Sequence, residues 1–180
     1  AAILNTSVLL KYHVTIVLLS YGLIALGFFT SLFYLVTHYM QRSRSGQAQV
    51  ALPGGGSMSV SASALGLDDQ KPAGGAARVM HDLDRAQMTI LQLAFWFLGI
   101  GILLGAWWAD HSWGRWWAFD PKELWALVTW IVYLIVIHIR VTTARNKALI
   151  TAWLSVLGFI AMLWCYFGVN LLLPGLHAYA

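Results

Sequence analysis

The chain has 180 residues, of which 59% are hydrophobic and only 10% charged, a balance outside the range of soluble globular domains and typical of integral membrane proteins. The formal net charge of +4 is not read as a nucleic-acid footprint, because Lys and Arg in a membrane chain report which side each connection occupies. A lone cysteine, Cys165 in an apolar run, excludes an intrachain disulfide and the common structural metal spacings.

The sequence starts at Ala1 rather than Met, and Ala1 to Leu10 lacks the basic start of a signal peptide, so it reads as a segment of something longer. The first uncharged stretch is Val14 to Val36, with His13 at one end and His38 just past the other. It is long enough for a helix to cross a hydrocarbon core, which takes about 20 residues. Residues 41–87 follow, rich in Gly, Ser and Pro (Pro53-Gly54-Gly55-Gly56-Ser57, Lys71-Pro72-Ala73-Gly74-Gly75) and poor in aromatics; this reads as a flexible loop. His81, beside Asp82 and Asp84, reads as solvated there. The second stretch, Ala86 to Ala109, contains Gly101-x-x-x-Gly105, a close helix-packing face. The third, Leu124 to Ile139, is short at 16 residues, but a helix can begin at Pro121, where proline suits the first turn. The fourth, Ala148 to Leu173, is followed by Pro174-Gly175 and His177. The expected fold is an all-α polytopic transmembrane bundle of four spans, one membrane domain over residues 1–180.

Eight of the 11 basic residues fall in two connections: Arg42, Arg44, Lys71, Arg78 and Arg85 in the first, and Arg140, Arg145 and Lys147 in the third. Only Lys11, Arg115 and Lys122 lie on the other side. The positive-inside rule then puts the basic connections in the cytoplasm and both termini, with the second connection, outside.

That second connection holds the chemistry. Six tryptophans fall between Trp107 and Trp125: Trp107, Trp108, Trp113, Trp116, Trp117 and Trp125. Any two would pass as an interfacial aromatic belt, but six in one connection suggest a surface of flat faces for a large planar ligand. Asp120-Pro121-Lys122-Glu123 reads as a capping box that opens the third helix, with Asp at N-cap, Pro at N1 and Glu at N3. His13 and His177 fall on the same external side; each is either a polar anchor at the interface or, as a pair, axial ligands to a heme iron. His38 and His138 sit near the cytoplasmic ends of their spans, where an ionisable group is a functional candidate unless it only reaches the interface. His111 is not distinguished by its surroundings. No C-x-x-C-H segment is present, so the chain cannot itself carry covalent heme in the usual way.

The run Trp108-Ala109, Trp113-Gly114-x-x-Trp117-x-Phe119-Asp120-Pro121-Lys122-Glu123-x-Trp125-Ala126-Leu127, ending at His138-Ile139-Arg140, resembles the tryptophan-rich heme-handling domain of the cytochrome c assembly proteins. Within that family it looks most like the System II branch, the larger subunit of the cytochrome c synthase. The likeness extends to His13-Val14 before Ser20-Tyr21, and to Gly168-Val169-Asn170 before Gly175-Leu176-His177-Ala178-Tyr179.

The resemblance implies that Trp108, Trp113, Gly114, Trp116, Trp117, Phe119, Asp120 and Trp125 form the heme platform. It implies that His13 and His177 ligate the iron outside, and that His138 marks where heme enters the bundle. The cargo would be non-covalent heme b, and the partners the smaller System II synthase subunit, apocytochrome c and membrane lipid, with no nucleic acid. The setting would be a bacterial cytoplasmic membrane or a thylakoid-type one. The implied function is export of heme and its presentation to a C-x-x-C-H apocytochrome, within a synthase complex in which this chain either catalyses thioether formation or positions the reactants. The sequence departs from the family in Phe119, where a tryptophan is usual, and in having four spans where the family has more. The other reading is a b-type cytochrome subunit with heme between His38 and His138; a third is a packing or transport subunit anchored by its tryptophans.

Overall fold

The computed structural model describes residues 8–47, 75–142 and 146–173. Among them lie α1 (Val8–Gln47), α2 (Gly75–Trp113), α3 (Pro121–Thr142) and α4 (Lys147–Leu163); a π-helical turn at Trp164–Gly168 continues α4 into the short α5 (Val169–Leu172). Four helical stretches, counting α4 through α5 as one, are long and apolar enough to cross a membrane. The chain is therefore an all-α integral membrane protein, its backbone polar groups satisfied within each helix as the bilayer requires.

The helices overrun the spans read from the sequence. α1 continues to Gln47 and α2 begins at Gly75, so both ends of the segment expected as loop are helical, while residues 48–74 lie outside the described residues. A helix already nucleated in a span propagates cheaply through good formers such as Gln, Arg and Ala. Packing helps: Met80 and Leu83 pack against a buried cluster of Tyr34, Leu35 and Ala152. With 40 and 39 residues, α1 and α2 are each roughly 60 Å long, about twice the hydrocarbon thickness. Arg42, Arg78 and Arg85 lie on these helices outside the uncharged stretches and are exposed.

α1 packs on α2 and on α4, and α3 packs on the same two helices, closing a four-helix bundle. Ile24, Leu91, Leu98, Tyr133 and Val136 form its fully buried centre. Glycines let the helices approach: a Cβ at Gly27 would come within 2.8 Å of Leu91, and at Gly101 or Gly158 within 2.7 Å of Val17 or Tyr133. The hydroxyls of Ser31, Thr129 and Thr151 donate to carbonyls four residues back on their own helices. Gln87, fully buried, donates from Nε2 to Ser31 Oγ at 2.6 Å and ties α2 to α1. Arg140 pairs with Asp84 between α3 and α2, their side chains only 14% and 19% exposed.

Only 17% to 33% of each span window is buried inside the bundle, and Phe29, Trp96, Leu103 and Trp153 lie exposed. Such continuous apolar faces meet lipid or further helices.

Candidate functional site

The connection between α2 and α3 is fixed at both ends. Gly114 takes the left-handed conformation (φ 68°) that closes a helix, and its N–H bonds to Asp110 O at 2.8 Å. At α3 the capping box forms as its sequence predicts: Asp120 Oδ2 accepts from the Lys122 N–H at 3.2 Å, and Glu123 Oε2 accepts from the Asp120 N–H at 3.3 Å. Glu123 Oε2 also accepts from the Ala118 N–H at 2.9 Å. These bonds straddle Phe119, whose φ of 57° costs an L residue about 1–2 kcal/mol. Its ring is 74% exposed, so the cap, rather than burial of the ring, holds this strained backbone.

Between the connection and the ends of α1, α3 and α5 lies a cavity of about 720 Å³, within the range of small-molecule sites. Trp108, Trp113 and Trp117 line it together with His13, Lys122 and Asn170, among apolar residues of α1, α2 and α3. Elements that run up and down the bundle thus converge at one end. Trp108 and Trp113 meet edge to face with centroids 4.9 Å apart, each fixing the other. Among the described residues the buried Trp108 Nε1–H meets no acceptor, which leaves it able to receive a polar partner.

His13 is positioned by two glycines of α2. Its Nδ1 lies 2.8 Å from Gly101 O; a carbonyl only accepts, so Nδ1 carries the proton, and the neutral form of a ring so held has its lone pair on Nε2, the tautomer a metal ligand uses. A Cβ at Gly105 would stand 2.6 Å from His13 Cε1, so the missing side chain makes room for the imidazole. The Gly101-x-x-x-Gly105 face therefore packs helices and also seats this histidine. An imidazole with Nε2 as its donor atom, beside three indoles, suits a flat ligand that carries a metal ion.

The other sequence candidates divide. Trp107 and Trp116 are exposed, at 47% and 57%, and Trp125 packs edge to face on Trp164 of the π-helical turn; none of the three lines the cavity, nor do Gly114, Phe119 and Asp120. Asp120 is buried and acts on the site through the cap. His177 lies outside the described residues, seven positions after the cavity-lining Asn170. His138 is exposed on α3, with Nδ1 donating to Leu134 O at 2.8 Å, and His38 stacks on Tyr34 of its own helix; both are remote from the cavity lining. His111 bonds to Trp107 O on an exposed surface. Sequence reasoning assigned no role to Tyr21, Lys122, Tyr166 and Asn170, all of which line the cavity. Lys122 stands in the sequence only as part of the capping run, and Tyr21 and Asn170 only within the segments Ser20-Tyr21 and Gly168-Val169-Asn170 that carry the family resemblance.

Residues 2–177 match the family described as Cytochrome C assembly protein. A cytochrome c biogenesis protein CcsA of Trieres chinensis is 36% identical over 173 residues, 94% of this chain and 55% of that protein. The proteins of the same name from Lactuca sativa and Oenothera biennis are each 48% identical over 103 residues, 57% of this chain and 32% of theirs. The chain thus spans between a third and about half of these relatives' length. With nearly its whole length matched, the chain belongs to the cytochrome c assembly protein family.

Proposed function

We propose that the chain works in cytochrome c biogenesis, holding heme b non-covalently in the cavity at the external end of the bundle and presenting it to a C-x-x-C-H apocytochrome c. The observation that carries this reading is the seat of His13: a proton fixed on Nδ1 by Gly101 O and a ring lodged over Gly105, in a cavity walled by Trp108, Trp113 and Trp117. Nε2 of His13 serves as one axial ligand and His177 as the other. The indoles hold the porphyrin faces, while an open rim lets the thiols reach the vinyl groups. Each thiol adds across a vinyl double bond, sulfur to one carbon and hydrogen to the other, without net oxidation or reduction. His138, exposed on α3, marks where heme enters from the cytoplasmic side, completed by a histidine of the smaller System II synthase subunit. The basic residues at that end of the bundle support a topology with both termini and the Trp-rich connection outside, in a bacterial cytoplasmic or thylakoid-type membrane.

The b-type cytochrome reading draws no support from this cavity, because neither His38 nor His138 lines it. Co-expression of the full-length protein and its partner subunit with a C-x-x-C-H reporter, in cells without other maturation machinery, tests the proposal. Covalent heme on the reporter, lost with His13→Ala, is expected. Maturation that proceeds equally without the protein would overturn it.

A further inference from the structure

The cavity presents an ammonium as well as an imidazole. Lys122 lies in the first turn of α3, and its Nζ donates to Asn170 Oδ1 at 2.9 Å. The Asn170 amide is itself oriented, since its Nδ2 donates to Tyr166 O at 2.7 Å, which turns the carbonyl oxygen toward the lysine. Lys122, Asn170 and Tyr166 all line the cavity. Glu123 is the one carboxylate among the described lining residues, and its Oε2 is engaged by the backbone N–H groups of Ala118 and Asp120; the buried Asp120 carboxylate, outside the lining, also acts on the Lys122 charge. A lysine at the end of a membrane helix ordinarily extends its ammonium to the interface, whereas Lys122 lines the cavity and is held there by Asn170. The N-terminus of α3 adds partial positive charge at the same point.

We propose that Lys122, set in place by Asn170, binds a carboxylate on the rim of the flat ligand held in the cavity. With heme as that ligand, which is the reading this inference rests on, the carboxylate is a propionate. An imidazole–iron bond leaves the porphyrin able to turn about the bond axis, and stacking on indoles is tolerant of rotation. A charged contact at the rim removes that freedom. Propionates and vinyls occupy opposite halves of the porphyrin, so holding a propionate at Lys122 turns the vinyl edge away from α3 and α5. Lys122 is thus a positioning residue, which decides the edge offered to the thiols.

The test is a titration of the full-length protein in lipid nanodiscs with heme and with heme dimethyl ester, whose carboxylates are masked, followed by Soret absorbance. A charge-assisted bond of this kind predicts that the wild type prefers heme by about tenfold or more. Lys122→Gln is expected to bring the ratio close to one while binding the ester as the wild type does, which also shows that the variant is folded; Lys122→Arg is expected to keep the preference. A wild type with no preference, or Lys122→Gln that retains it, would overturn the inference while leaving the heme reading intact. Failure of the wild type to bind either porphyrin would remove the heme reading itself.

Discussion

Adding one methyl group at Gly105 tests whether the seat of His13 governs binding. In Gly105→Ala the new Cβ would lie 2.6 Å from His13 Cε1, against 3.4 Å or more for ordinary contact, so the imidazole must move by roughly 0.8 Å, a displacement of the size that overpacking forces in well-packed interiors. A shift of that size stretches the 2.8 Å bond to Gly101 O beyond hydrogen-bonding range. Losing the bond costs about 0.5–1.5 kcal/mol and crowding the ring about 1–3 kcal/mol. Together these weaken binding through His13 by about tenfold to about two thousandfold. Gly22→Ala is the control, since a Cβ there meets nothing within 4 Å. The assay is heme titration of both variants in nanodiscs, with affinity and spin state read from the Soret and visible bands. Wild-type affinity and spectrum in Gly105→Ala would refute the argument that this glycine seats the ligand.

Three further outcomes are expected. Asp120→Ala removes the acceptor for the Lys122 N–H and lowers stability by about 1 kcal/mol, whereas Asp120→Asn keeps a capping oxygen and stays near wild type; thermal unfolding in detergent separates them. Trp117→Ala, which strips a cavity wall, weakens heme binding by tenfold or more, while Trp116→Ala, at a ring 57% exposed, changes it by less than about fivefold, as a contact worth under 1 kcal/mol requires; equal losses would contradict this division of the tryptophans. Cysteines at His81 and Ser112, in a Cys165→Ser background, are expected to label from opposite sides of the membrane, His81 from the cytoplasm; labelling of both from one side would exclude the topology.

The parts of this architecture that the sequence reveals are those encoded locally. Uncharged runs show where helices cross, because a single charge in hydrocarbon is expensive. The cap at Asp120-Pro121-Lys122-Glu123 is legible because its bonds span only two or three residues. The seat of His13 is not, since the carbonyl that fixes its ring is 88 residues away, and Gly101-x-x-x-Gly105 read alone indicates packing without naming the partner. The link from Lys122 to Asn170 crosses 48 positions and has no local signature. In the Trp-rich connection no helical or strand period says which indoles turn inward, so Trp117 and Trp116, adjacent in sequence, look alike until the fold puts one in the cavity wall and the other on the surface. The π-helical turn at Trp164–Gly168, which brings Tyr166 toward the cavity, leaves no mark in composition. Helix over residues 41–47 and 75–87 is hidden by the glycine-rich stretch between them.

Purification of the full-length protein from heme-replete cells, with and without His13→Ala and His177→Ala, tests the central claim most directly. The wild type is expected to carry non-covalent heme with a six-coordinate low-spin spectrum, and each single variant to lose much of that heme and the low-spin signature as one axial position opens. Wild-type heme content and spectrum in both variants would show that the iron is held elsewhere, and the external heme site would have to be abandoned.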